Sequence, residues 1–166
     1  MKRKILYGVL AVLVVIQFVG ISRNDGDVVS NDISKAFVIS DEVKTILKAA
    51  CNDCHSNHTE YPWYARVQPI AWWLEHHVDE GKGEINFSEF ATYRPARQFH
   101  KFEEIAEVVK EGEMPLASYT WIHRNAVLTA DEKTTIINWA NAMRDTMSAH
   151  YPADSLVMKR RPEGAK

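Results

Sequence analysis

The most conspicuous pattern along the chain is an unbroken apolar run near its start. Ile5 to Ile21 (ILYGVLAVLVVIQFVGI) holds 17 residues with no charge and one side-chain amide, Gln17. No polar face interrupts it, which argues against a helix on the flank of a core. At about 1.5 Å per residue the run reaches roughly 26 Å, near the lower limit for a bilayer-spanning helix. The pattern therefore predicts a transmembrane helix within an N-terminal segment, residues 1–22. Residues 23–37 are polar, with Gly and Asn-Asp and no sustained period, and read as a tether.

Helical periods take over in residues 38–150. Ser40 is placed to cap a helix whose first turn holds Asp41 and Glu42, with Val43, Ile46, Leu47 and Ala50 on one stripe. Pro69 suits a helix start, and Ile70, Trp73, Leu74 and His77 share a face. Phe99, Phe102, Ala106 and Val109 make a third stripe that stops near Gly112. Thr129-Ala130-Asp131-Glu132 is a capping box opening a fourth helix, along which Ile136, Ala140, Met143 and Met147 align. Gly81 to Pro95 shows no strand pattern, and residues 151–166, with Lys159-Arg160-Arg161, read as a solvated tail. The predicted class is all-α: one helical domain with long loops, preceded by the apolar helix.

Composition narrows the possibilities without changing the class. At 166 residues and 46% hydrophobic, the chain can build one real core. The formal charge is −2, and three of the cations (Lys2, Arg3 and Lys4) precede the apolar run, leaving −5 on everything after them. An acidic body excludes nucleic acid as the expected partner. The basic flank should stay in the cytoplasm, so the domain is expected in the periplasm, held to the inner membrane by a single pass. The alternative is a cleaved signal peptide and a soluble periplasmic protein. No A-x-A pattern follows the run, and no cysteine follows it either, which excludes a lipoprotein anchor.

The candidate chemistry lies at the end of the first domain helix, in Cys51-Asn52-Asp53-Cys54-His55. C-x-x-C-H is the attachment signal of c-type haem. Two thiols three residues apart each add to one of two vinyl groups on a porphyrin edge, and the next histidine then lies beneath the iron. Three other readings stand beside it. A thioredoxin-like pair needs a βαβ context, zinc needs two further ligands, and an exported disulfide needs only the two cysteines. Export favours haem c, since it is attached outside the cytoplasm.

Met114 is the expected distal ligand. It follows Gly112 in a loop and precedes Pro115, which fixes the local backbone and removes a competing donor. Met143 and Met147 sit on an apolar stripe and read as core. Among the histidines, His58 is too near the attachment side, His76 and His77 read as helix-face residues, and His100 and His123 are the substitutes for Met114. Trp63, Tyr64, Trp72 and Trp73 are candidates to wall the porphyrin, and Tyr119 and Trp121 to line the distal loop. Trp139 is expected to pack the last helix on the first. Arg66, Arg94 and Arg97 are candidate propionate partners.

These blocks carry a resemblance. The haem pentad, Y-P-W-Y, W-W-L-x-H-H, N-F-S-E-F and G-E-M-P-L-x-S-Y, spread from Ser40 to Met147, resemble the small bacterial haem-binding domain family with a C-x-x-C-H motif, found in the Bacteroidetes. The resemblance implies a cytochrome c-like domain with a single covalent haem c on Cys51, Cys54 and His55. Related domains occur fused to cytochrome or peroxidase modules, which implies electron transfer. The expected function is thus a mono-haem c-type cytochrome-like carrier, with His55 and Met114 on the iron. Its expected partners are an oxidase, a peroxidase or a quinol-oxidising complex. The alternatives are a sensor or peroxidase-like protein with an open distal site, for which His123 as acid/base and Arg124 as charge stabiliser are the candidate pair, or a haem-bearing structural subunit.

Overall fold

The structure, a computed structural model, describes residues 1–26 and 30–158. Its regular elements are helices: α1 (Lys2–Ile16), α2 (Asp41–Ala50), α3 (Asn52–His55), α4 (Ile70–Glu84), α5 (Pro95–Glu111), α6 (Ala117–Ile122) and α7 (Ala130–His150), joined by short 3-10 turns. Among the described residues there is no strand beyond one isolated bridge, Asp25 to His58. The all-α expectation holds.

Local sequence rules account for several helix ends. Ser40 Oγ accepts from Val43 N at 3.2 Å, and the buried stripe of α2 is the expected Val43, Ile46, Leu47 and Ala50. Thr129 and Glu132 form both bonds of the capping box that starts α7. Pro95 opens α5, and Gly112 closes it with φ 77°, a left-handed conformation that other residues adopt at a cost. The core forms where α5 and α7 pack together, with α2 against α7. Phe102 is fully buried and meets Trp139 edge-to-face at 5.5 Å. Trp139 thus packs α7 on α5, in the same core cluster as Val43, Ile46 and Leu47 of α2.

Three expectations are corrected. The spanning helix is the first: α1 has 15 residues, and among the described residues no helix is long and apolar enough to cross a membrane. It stops because Gln17 turns to the body. Gln17 Nε2 donates to Gln68 O at 3.1 Å, Gln68 N donates to Gln17 Oε1 at 3.0 Å, and Gln68 Nε2 donates to Val19 O at 2.8 Å. Residues 17–21 therefore run along the domain surface. The second concerns the tether, whose described residues are bound in place. Asn24 Nδ2 donates to Ser56 O and Thr59 Oγ1, its Oδ1 accepts from Lys82 Nζ, and Gly26 N donates to Asn57 O. The third is the face of α4: its buried stripe is Ala71, Leu74 and Val78, while Ile70 and Trp73 are exposed. Lys159-Arg160-Arg161 lies outside the described residues.

Candidate functional site

One turn of helix organises the pentad. Cys51 ends α2 with its N–H on Leu47 O, and Cys51 O in turn accepts from the N–H groups of Cys54 and His55, at 3.2 and 3.0 Å. Spacings of three and four residues put Cys51, Cys54 and His55 on one side of that turn. Helix α4 packs directly on it at Gly81. A Cβ on Gly81 would lie 2.7 Å from Cys54 O and 3.1 Å from Cys54 Cβ, so no side chain fits there.

That close approach also sets the chemistry of His55. Its Nδ1 lies 2.9 Å from Gly81 O and 3.1 Å from Ile85 O. Both partners are carbonyls and only accept, so Nδ1 carries the proton and the neutral ring keeps a free lone pair on Nε2. Burial lowers the His55 pKa, outweighing the opposite pull of the Ile85 and Gly81 carbonyls, so the neutral ring is favoured. The result is an imidazole oriented and tautomerised for a metal.

The pentad opens into a cleft of ≈ 800 Å³, at the large end of the range for small-molecule sites. Cys51, Cys54 and His55 line it, together with apolar side chains of α2, α5 and α7 such as Leu47, Val108, Val109 and Ile136. Met114 lines it as well. The left-handed Gly112 folds the chain back over the end of α5, where Glu113 N and Met114 N both reach Val108 O, at 2.9 and 3.3 Å. Pro115, Leu116 and Tyr119 continue that wall. All four predicted site residues, Cys51, Cys54, His55 and Met114, are therefore brought to one cavity by two separate chain segments.

Thiol redox chemistry is disfavoured at this site. Burial, then the neighbouring Cys54, pushes the Cys51 thiol up to about 12; burial, then Asp53, pushes the Cys54 thiol up to about 11. A reactive dithiol needs the opposite shift. Both cysteines are free. Nor is there a ready zinc site, since among the described residues no three His, Cys, Asp or Glu side chains are grouped to hold a metal ion.

Several other candidates fall elsewhere. Trp63, Tyr64, Trp72 and Trp73 do not line the cleft, and Trp121 is exposed. Arg97 stacks over Tyr93 at 3.9 Å, and neither it nor Arg66 nor Arg94 reaches the cleft wall. His123 and Arg124 are also outside it. His123 instead shares a 2.6 Å hydrogen bond with Tyr64 and stacks on Tyr119 at 4.2 Å, behind the cleft wall. His100 is engaged by Glu103 and Glu104. His77 does line the cleft, with Nδ1 donating to Trp73 O at 2.9 Å.

Two residues of the site were not foreseen. Lys101 is buried in the cleft wall, with Nζ 2.6 Å from Glu104 Oε2 and 3.2 Å from Glu84 Oε2. The available signal was its register, since Gln98, Lys101, Ile105 and Val109 lie on one helical stripe. Asp53, inside the pentad, accepts from Tyr119 Oη at 2.7 Å and from Glu60 N at 3.1 Å. No sequence pattern pairs residues so far apart.

The cleft is roomy and mostly apolar, lined by both pentad cysteines and by His55, whose Nε2 is free, which fits a large apolar group with a metal. No curated protein and no solved structure matches the chain. A family of haem-binding domains matches residues 11–142, including the pentad, α4 and the Met114 loop. The chain belongs to the haem-binding domain family.

Proposed function

We propose that this haem-binding protein is a mono-haem c-type cytochrome-like electron carrier. Cys51 and Cys54 would add their S–H groups across the two vinyls of the haem, giving two thioethers. His55 Nε2 and Met114 Sδ would hold its iron. The observation that carries it is that both sulfurs, the bare imidazole nitrogen and the Met114 loop share one apolar cleft.

Haem bound there supplies an iron that gains and loses one electron. The chain's own residues do the rest. Gly81 O and Ile85 O hold the His55 ring and its tautomer, and the turn at Gly112 aims Met114. The hydrophobic lining excludes water, and a neutral thioether opposite imidazole favours the ferrous state. With both His55 and Met114 on the iron, no position would be left for substrate, which suits carriage over catalysis.

The proposed setting is the periplasmic face of the inner membrane, with α1 in contact with lipid. The expected partners are redox proteins: an oxidase, a peroxidase or a quinol-oxidising complex. An acidic body suits weak, salt-sensitive docking on a basic patch.

The test of attachment is the mass of the denatured full chain after expression in a host competent for c-type maturation. The wild type should carry the added mass of one haem, and Cys51→Ser/Cys54→Ser should carry none. A wild type that releases all its haem on denaturation contradicts covalent attachment.

A further inference from the structure

The three exposed tryptophans of the body, Trp63, Trp73 and Trp121, lie at one corner. Trp63 (79% exposed), Val67, Ile70 and Trp73 follow one another through the turn before α4 and into its first turn. Trp121 (73% exposed) and Ile122 end α6. Their neighbour His123 is bonded to Tyr64, next to Trp63. Helix α1 leaves the body at the same corner, through the Gln17–Gln68 pair. No residue of α1 is buried, although the helix is apolar almost throughout. A bare apolar helix and three bare tryptophans thus adjoin.

Charge sorts the same way. Between Glu60 and Glu75 the only charged residue is Arg66, and between Glu113 and Asp131 it is Arg124. Both arginines are exposed. A chain with 22 Asp and Glu has none in the two segments that form this corner. At the far end of α1 stand Lys2, Arg3 and Lys4. Tryptophan with its apolar body and N–H, flanked by arginine and free of carboxylates, is the surface that anionic lipid headgroups accept. The acidic remainder of the body is repelled by them.

We propose that this corner is a lipid-docking surface. Trp63, Ile70, Trp73 and Trp121 rest in the headgroup region of an anionic membrane, and α1 enters the lipid beside them. The inference rests on the membrane setting given to α1, and adds which face of the domain meets the bilayer. It also places the cleft. Tyr119 of α6 lines the cavity while Trp121 of the same short helix lies outside it, so a single short helix separates the haem site from lipid. The site is thereby held where a membrane-embedded redox partner presents its surface.

The test is hydrogen exchange of the full, haem-loaded chain, with and without vesicles of phosphatidylethanolamine and phosphatidylglycerol. Vesicles should slow exchange several-fold in three segments (residues 2–19, 63–73 and 117–124) and leave residues 51–56 unchanged. Trp63→Ser/Trp73→Ser/Trp121→Ser, changed only at exposed positions, should keep the slowing in α1 and lose it in the other two segments. Slowing confined to α1 overturns the docking surface while leaving the membrane setting intact, and would assign the tryptophans to a protein partner. No slowing anywhere overturns both.

Discussion

Tyr119 Oη donates a 2.7 Å hydrogen bond to Asp53 Oδ2, joining the helix after the Met114 loop to the middle of the haem pentad. Burial, then the bond to Asp53, raises the Tyr119 pKa, so the phenol stays a donor at any physiological pH. Both residues line the cleft, as does Cys54. In the proposed holoprotein the bond latches the distal loop to the attachment turn.

Removing the latch should loosen Met114. Tyr119→Phe deletes the donor but keeps the ring on His123, and a bond to a charged acceptor is worth about 1.5–3 kcal/mol. Chemical denaturation should show a loss of that size, and the ferrous variant should bind carbon monoxide faster than wild type. A variant less stable but unchanged towards carbon monoxide would make the bond structural only.

Gly81 is the contact that seats α4 on the pentad. Gly81→Ala would put its Cβ 2.7 Å from a backbone oxygen that cannot swing away. Overpacking of this kind costs about 1–3 kcal/mol. It should also shift the carbonyl that holds His55, so haem content per polypeptide should fall along with the melting temperature. Normal haem loading in a normally stable variant would contradict the packing account.

Helix α7 should carry an acid-sensitive start. The Thr129 backbone and hydroxyl bonds lower the Glu132 pKa from its ordinary 4.5. The unfolded carboxylate therefore takes a proton at higher pH than the folded one, and stability falls as pH drops through 4.5 towards the folded value. Thr129→Ala should cost about 1 kcal/mol at neutral pH. Melting curves of Glu132→Gln should show a shallower decline below that pH; an unchanged slope would rule the box out as its source.

What the sequence revealed was what its own neighbours determine. The cap at Ser40, the stop at Gly112, the capping box and the thiol–thiol–imidazole spacing are all settled within five residues. The same holds for Met114, because Gly112 and Pro115 shape its loop locally. The segment from Ile85 to Thr92 showed no period, yet Ile85, Phe87 and Phe90 are core. It is fixed by distant polar partners: Asn57 N donates to Ser88 Oγ, and Asn86 Nδ2 donates to Asn57 Oδ1. Asn24, the Gln17–Gln68 pair and Tyr119–Asp53 escaped for the same reason. The tryptophans misled because aromatic content suggests a cofactor wall, whereas Trp63, Trp73 and Trp121 point to solvent.

The account stands most directly on Met114, and carbon monoxide reports on it. Oxidised, reduced and carbon monoxide-treated spectra should be recorded for the full chain and for Met114→Ala. Wild type should be low-spin in both oxidation states and indifferent to carbon monoxide, and Met114→Ala should bind it readily. A wild type that takes up carbon monoxide at once, or a Met114→Ala protein still low-spin and closed with His77 as the remaining cleft histidine, would contradict His55/Met114 ligation.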